Sequence, residues 1–265
     1  MTKTYHRELA FAERVAREAG ALLLGAYGRV SAREKGPNDL VTEADTATQH
    51  LIARRISEEF PDHTLLAEEE GVVADPGKSW KWIVDPLDGT INFAHGFPFW
   101  AVSIGLEHNG RLVVGIVYNP LAKIVYSASL GGGTHRNGEP MRVSGANVLK
   151  DSLIGAALPT GFDKDADRQL AYFRTMSTDT HSVRRTGSTA LNLAFLACGG
   201  LDLIYATSVY PWDVAAGILL VTEAGGVVTA IDGSPHQMNQ MSLLGSNGLL
   251  HAEALQRLGA AWPGL

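Results

Sequence analysis

The run Trp82-Ile83-Val84-Asp85-Pro86-Leu87-Asp88-Gly89-Thr90 constrains this chain more than any other stretch. An apolar strand ends in an aspartate, and Pro86 fixes φ and is expected to stop the hydrogen-bonded ladder there. A second aspartate follows three residues later, and Gly89 frees the backbone so that Thr90 can begin a new turn. Two carboxylates on one tight strand-end loop are the hard oxygen donors that Mg²⁺ selects, with the Leu87 carbonyl between them as a third oxygen. The same residues also read as a solvated, Asp-rich turn, and the run alone does not separate the two.

Further acidic residues bear on that choice. Glu68, Glu69 and Glu70 follow the apolar run His63-Thr64-Leu65-Leu66-Ala67. Glu68, directly after the strand, is placed to face a cleft, whereas Glu70 reads as part of a polar loop. Asp213 follows Tyr210-Pro211-Trp212 and opens an apolar helix, so it reads either as a helix N-cap or as a site carboxylate. Asp45 has the same double reading at the start of the second helix. There Thr42 can cap the free amides, with Asp45 in the capping-box position.

Around these residues the first half reads as two helices against a largely antiparallel sheet. Helical spacing runs from about His6 to Tyr27, closed by Gly28, and again from Thr42 to about Phe60. Between them Gly36-Pro37-Asn38 reads as a turn or mobile loop. Strands are expected at 63–67, 80–84, 101–107, 112–118 and 124–130, with hairpin turns at Asn109-Gly110 and Asn137-Gly138. The second half alternates: strands near 153–157, 182–185, 201–205 and 227–231, and helices near 166–177, 188–198, 213–224 and 247–258. No linker or repeat separates the halves, which are expected to pack as one unit with a groove between them.

Composition closes off several function classes. A formal charge of −6, with Arg184-Arg185 the nearest approach to a basic cluster, argues against a nucleic-acid grip. With Cys198 as the sole cysteine, no intrachain disulfide or thiolate metal cage can form. That cysteine reads as a buried, inert thiol. The nine histidines form no H-x-x-x-H or H-E-x-x-H pair and read as surface or loop residues, a poor fit to zinc hydrolysis. The N-terminus lacks a signal-peptide core, and no apolar stretch approaches the roughly 20 residues that span a bilayer. A cytoplasmic protein with no membrane partner is therefore expected.

Taken together, DPLDGTINF, the WD-x-AAG pattern at Trp212-Asp213, the upstream Glu-Glu pair, GSTALNLAFLACGGLD and DLVTEAD closely resemble the inositol monophosphatase family. The resemblance covers nearly the whole chain in the right order. It implies an α+β fold, a layered αβαβα sandwich of the inositol monophosphatase and sugar phosphatase type, as one domain over 1–265. Residues 1–148 would carry the helix pair, the mostly antiparallel sheet and most metal ligands. Residues 149–265 would form the alternating half with Asp213 and the substrate contacts.

The resemblance also implies roles. Glu68, Asp85, the Leu87 carbonyl, Asp88 and Asp213 look like ligands of two or three Mg²⁺ ions, and Asp45 like a residue holding a more weakly bound metal and its water. Glu68, Thr90 and Asp45 would be catalytic, with Thr90 orienting the nucleophilic water. Asp88, Gly89, Thr90, Gly187, Ser188, Ala206 and Asp213 would form the substrate site. The Gly89 and Thr90 amides look like phosphate-binding groups, Asn92 fits the pattern without an assigned role, and Lys35 aligns with a loop lysine. A homodimer and inhibition by Li⁺ are implied as well.

Physical chemistry points the same way, since four carboxylates in one cleft repel each other unless divalent cations neutralise them. Two metals roughly 3.5–4 Å apart clamp the attacking and leaving oxygens of phosphoryl transfer, so no phosphoenzyme is needed. The expected reaction is Mg²⁺-dependent hydrolysis of a small phosphate monoester by a metal-activated water, with inositol 1-phosphate or a similar polyol phosphate as substrate. One departure weakens the inositol reading. Inositol-specific relatives often carry Glu seven residues before the aspartate of the W-D motif, and here that position is Ala206. A lost buried contact of that kind is worth roughly 1–3 kcal/mol, and Thr207 or Ser208 are candidate replacements. Histidinol phosphate and sugar bisphosphates therefore stay open as substrates, and a nucleotide 3′-phosphatase fits Thr90-Ile91-Asn92-Phe93 less well. A non-catalytic regulatory or binding protein keeping the fold is a second class of reading.

Overall fold

A computed structural model of the protein describes residues 5–29, 32–36, 39–69, 78–159 and 165–262, with the backbone alone for 32–36 and 39–41. In chain order the elements are α1 (His6–Ala26), β1 (Ala32–Gly36), β2 (Asp39–Thr42), α2 (Glu43–Glu59), β3 (Thr64–Ala67), β4 (Trp80–Asp88), α3 (Thr90–Ala94), β5 (Ala101–His108) and β6 (Arg111–Asn119). There follow β7 (Ile124–Ser129), β8 (Gly133–Arg136), β9 (Glu139–Met141), a 3₁₀ turn at Leu149–Asp151, β10 (Leu153–Ala157), α4 (Ala166–Asp179) and β11 (Ser182–Arg184). The chain continues through α5 (Thr189–Ala197), β12 (Leu203–Thr207), α6 (Pro211–Glu223), β13 (Val227–Thr229), β14 (Ser242–Ser246) and α7 (His251–Ala261).

Strands β3 to β9 form a sheet in sequence order, antiparallel except for the parallel pair β3–β4. The second sheet has the order β11-β10-β12-β14-β13, with β10 parallel to both β11 and β12, and β14 antiparallel to its neighbours. Helices α1 and α2 cover one face of the first sheet, α5 and α6 lie between the sheets, and α4 and α7 cover the outer face of the second. The layering is αβαβα, as the family resemblance implies. Each apolar face is buried against the next layer, giving three clusters around Trp82, Leu193 and Leu203.

Close approach of α6 to the first sheet depends on glycine. A Cβ on Gly115 of β6 would stand 2.6 Å from the Ala216 carbonyl oxygen, and one on Gly105 of β5 would stand 3.0 Å from Ala215 Cβ. Without those side chains the helix backbone settles on the strands, and its first turn reaches the edge of β4 and β5. Ser103 of β5 lies opposite Asp85 and donates to the Trp212 carbonyl at 3.3 Å. That bond fixes Asp213 beside Asp85.

Several expectations change in the folded chain. The polar stretch around Gly36-Pro37-Asn38 carries strands that the pattern reading did not assign: the backbone on either side pairs as the antiparallel ribbon β1–β2, with Ala32 opposite Thr42. Pro37 and Asn38 lie outside the described residues, as does Glu70. Pro86 does not end the ladder. Strand β4 runs on to Asp88, with Asp85 opposite Ser103 and Asp88 opposite Ala101, so one extra residue is accommodated. Proline is tolerated at such a bulge because the extra residue is left out of the pairing.

Strand β14 has no counterpart in the pattern reading, because five short residues without a turn signal resemble any buried segment. It sits between β12 and β13, and the last helix begins at His251 rather than at 247. His251 is buried, with Nδ1 at 2.9 Å from Ser246 Oγ and Nε2 at 3.0 Å from Thr229 Oγ1, so it is no surface residue. Asn109-Gly110 and Asn137-Gly138 do form the hairpin turns, all four residues having positive φ.

Gly115→Ala should lower stability by about 1–3 kcal/mol, since the added methyl meets backbone that can only move as a whole helix. Gly259→Ala, in α7 with nothing within 4 Å of its Cβ position, should be neutral or stabilising by about 0.4–1 kcal/mol. Thermal melts of both variants check the pair.

Candidate active site

The site gathers carboxylates from separate elements at the ends of strands. In the parallel pair β3–β4 Ala67 stands opposite Val84, so Glu68, just past the end of β3, comes beside Asp85, which is still paired with Ser103 of β5. Asp88 follows on the same strand end, and Asp213 arrives on the first turn of α6. Glu68, Asp85, Asp88 and Asp213 line one cavity of about 610 Å³, together with Leu87, Gly89, Thr90, Gly187 and Ser188.

Asp45 is fully buried behind this surface. The capping box of α2 holds it: Thr42 N donates to Asp45 Oδ2 at 2.9 Å, Thr42 Oγ1 donates to the same oxygen, and Asp45 N returns a bond to Thr42 Oγ1. Its second oxygen, Oδ1, accepts from Thr90 Oγ1 at 3.0 Å. Asp45 thus meets the cleft through the Thr90 hydroxyl, which also stands 3.1 Å from the Leu87 carbonyl.

Asp88 joins the two sheets' elements. Its Oδ2 accepts from Ser188 Oγ and from Ala190 N at 2.9 Å, and its Oδ1 from Thr189 N at 3.1 Å. The carboxylate caps α5, satisfying amides that a helix start leaves without partners. A carboxylate offers about four acceptor positions, so one remains on Oδ1. Asp85 Oδ1 accepts from Leu87 N at 2.9 Å, and Asp213 Oδ2 from Tyr210 N at 2.7 Å.

Crowding raises the proton affinity of these groups. Burial pushes Asp85 well above the usual carboxylate range, and the charges of Glu68, Asp88 and Asp213 push it further. Burial raises Asp88 to about 6 despite its bonds from Ser188, Ala190 and Thr189. Asp213 is raised well above the usual range by burial and by the charges of Asp88 and Glu68, against the Tyr210 amide. Burial also raises Asp45, opposed by Thr42 and Thr90.

Glu68, Asp85, Asp88 and Asp213 are hard oxygen donors, the kind of ligand a cation such as Mg²⁺ takes. As the side chains stand, no three His, Cys, Asp or Glu among the described residues are arranged to hold one ion.

The architecture has close relatives. The model of the inositol monophosphatase family matches residues 5–262. The chain belongs to the inositol monophosphatase family. It is 38% identical over 244 residues to an inositol-1-monophosphatase of Mesorhizobium japonicum, covering 91% of this chain and 92% of that protein. It is 37% identical to the Nus factor SuhB of Pseudomonas aeruginosa, with 90% and 91% of the two chains covered. The crystal structure of the extragenic suppressor protein suhB from Bartonella henselae superposes with a TM-score of 0.92 at 33% identity, covering 98% of this chain and 100% of that one. As an inositol monophosphatase family member, the protein is a phosphoric monoester hydrolase.

Not every residue singled out in the sequence comes to this cleft. Ala206 is fully buried on β12 in the middle cluster and does not line it. Thr207 and Ser208 line a separate cavity of about 300 Å³ with Arg168 and Tyr172. Lys35 lies on β1, where only the backbone is described. Residues absent from the expected site also line the cleft: Ile91, His95, Ala156, Ala157, Leu158, Arg185, Thr186 and Thr189. His95 follows α3, Arg185 and Thr186 follow β11, and Ala156 and Ala157 end β10; their meeting at one cleft is a matter of tertiary packing that no local pattern specifies.

Asn92 acquires a structural role. Its Nδ2 donates to Phe99 O at 2.6 Å and to Thr186 O at 2.8 Å, tying the α3 segment to the loop before α5. Gly187 has a φ of +83°, and a Cβ there would press on the Asn92 amide at 2.9 Å.

Raised carboxylate pKa values have a definite stability consequence. The native state holds protons that the unfolded chain releases near pH 4. Without divalent cations stability should therefore fall as pH rises from about 4 past 6, and the deficit should persist above that window. In EDTA at pH 8, Asp85→Asn should melt a few degrees above the unmodified protein, on the order of 1–3 kcal/mol, and the gap should close near pH 4. Paired thermal melts across that pH range measure it.

Proposed function

We propose that this protein hydrolyses a small phosphate monoester, inositol 1-phosphate or a similar polyol phosphate, by direct attack of water in the carboxylate cleft. The observation that carries this reading is the convergence of Glu68, Asp85, Asp88 and Asp213 on one cavity beside the Thr90–Asp45 pair. Glu68, Asp85, the Leu87 carbonyl, Asp88 and Asp213 would hold two or three Mg²⁺ ions, with Asp45 assisting a weaker site. Bound Mg²⁺ would supply positive charge to the phosphate and acidity to the attacking water.

The remaining work falls to side chains. Thr90, by donating to Asp45, keeps a lone pair able to accept a hydrogen from the water and hold its oxygen toward phosphorus. Asp45, with its proton affinity raised by burial, suits the far end of that relay. Glu68, beside Asp85 at the rim of the sheet, is the other carboxylate placed to take the water's proton. The Gly89 and Thr90 amides and the Ser188 loop receive the phosphate oxygens. Li⁺ inhibition and a homodimer accompany this reading on the strength of the family resemblance.

Phosphate release from EDTA-stripped protein, with and without added Mg²⁺, tests the reading on inositol 1-phosphate, histidinol phosphate, fructose 1,6-bisphosphate and glycerol 2-phosphate. Release should require Mg²⁺. Thr90→Val should lower kcat about 10²–10⁴-fold with KM little changed. Asp88→Asn and Asp213→Asn should lower turnover by orders of magnitude while the far-ultraviolet circular dichroism stays native. Near-full Mg²⁺-dependent activity in both aspartate variants would remove the metal-ligand assignment.

A regulatory role beside catalysis is the second reading, favoured by relatives named Nus factor SuhB. Asp88→Asn separates the two, because a role independent of catalysis survives it.

A further inference from the structure

On the outer side of the second sheet lies a cavity that phosphate ester hydrolysis does not use. Asp165, Arg168 and Tyr172, on one face of α4 and its cap, stand over the ends of β12 and β14, where Thr207 lies opposite Ser242. With Ser208, Ile231, Gln240 and Met241 they line about 300 Å³, the low end of small-molecule sites. None of these residues lines the carboxylate cleft. The rim is held by backbone: Val209 N donates to the Met241 carbonyl at 3.1 Å, fixing Ser208 against the start of β14.

Two polar groups here have no partner among the described residues. Tyr172 is 1% exposed, yet its hydroxyl finds neither donor nor acceptor, and the buried Arg168 Nε is likewise unmatched. Burial raises the Tyr172 phenol above its usual range, opposed by the Arg168 charge and reinforced by that of Asp165, so the hydroxyl end of the ring faces that pair. Packing alone gives no reason for these groups, because a polar atom buried without a partner lowers stability.

The donor and acceptor set selects among ligands. Asp165 and Arg168 neutralise each other at 2.5 Å, so an anion meets the carboxylate and a cation meets the guanidinium. Arg168 Nε only donates. Thr207 Oγ1 gives its hydrogen to Gln169 Oε1 and is left as an acceptor, while the Tyr172 and Ser208 hydroxyls do both. Several hydroxyls on one ligand match such a mixture, since each donates and accepts. Ile231 and Met241 supply an apolar surface for the C–H face of the same molecule.

We propose that this cavity is a second ligand site, separate from the carboxylate cleft, for a small neutral polyhydroxylated molecule of the sugar or alditol class. The Tyr172 hydroxyl and Arg168 Nε hold its hydroxyls from the helix side, and Thr207 and Ser208 from the strand side.

The test uses the full chain with ¹³C-labelled methionine methyls. Met241, half exposed at this cavity, is the reporter, and Met141 on β9, which does not line it, is the control. D-sorbitol, D-glucose and myo-inositol are titrated as neutral compounds, with D-gluconate and N-methyl-D-glucamine as anionic and cationic counterparts. At least one neutral compound should shift the Met241 signal saturably and leave Met141 unmoved. Tyr172→Phe should weaken that binding about 3- to 10-fold and Arg168→Ala about tenfold. Without ligand, Tyr172→Phe should melt no lower than the unmodified protein, which separates a binding hydroxyl from a structural one. No saturable Met241 shift with any neutral compound, as for a cavity that takes only water, would overturn the proposal. Tighter binding of gluconate or N-methylglucamine than of the best neutral compound would do the same. So would unchanged affinity or a lowered melting temperature in Tyr172→Phe, the variant that decides if Arg168→Ala does not fold.

Discussion

The carboxylate of Asp88 at the start of α5 is the contact on which the rest of the site depends. It belongs to the strand-end loop of the first sheet, yet its partners are Ser188 and the amides of Thr189 and Ala190 at the start of a helix between the sheets. Removing a capping carboxylate leaves buried helix amides without acceptors, so the fold has a reason to keep this group apart from any chemistry. The same bond brings Gly187 and Ser188 to the cleft wall. Asn92 closes the loop from the other direction through Thr186. One short segment of backbone is thereby held by both of its neighbours.

Electrostatics and packing oppose each other here. Burial and mutual repulsion raise the proton affinity of Asp85, Asp88 and Asp213, and an unpaired cluster of this kind lowers the stability of the fold. What holds the groups together is hydrophobic: β4 is buried from Trp82 onward, and α6 lies on Gly105 and Gly115 with its apolar face covered. The scaffold has enough apolar burial to force carboxylates into proximity. A divalent cation is the natural partner for the negative potential that results. Asp45 shows a gentler version, with its burial offset by the Thr42 capping box and Thr90.

Local patterns were informative where one residue's neighbours in sequence are also its neighbours in space. The capping box at Thr42 and Asp45, the hairpin turns at Asn109-Gly110 and Asn137-Gly138, and the strand entering Asp85 all follow from spacing and residue type. Patterns misled where a long-range partner decided the outcome. Pro86 sits within β4 because β5 accommodates an extra residue, and β14 is a strand because β12 and β13 flank it. Ala206 aligns with a substrate contact but lies in the core, and Arg185 carries no motif of its own yet stands in the cleft.

By itself the sequence determined which residues carry the carboxylates and hydroxyls of the candidate site, most of the helices and the longer strands, and the family, because motif residues and hydrophobic periods are properties of the chain. Only the tertiary structure decided which carboxylates share a cavity, which of their oxygens are already occupied, and which other residues join them at the cleft. Those depend on register, on the close approach of α6 at Gly105 and Gly115, and on loops that follow β10 and β11. Each is set by contacts between residues far apart in the chain, where burial energy and not local propensity chooses the arrangement.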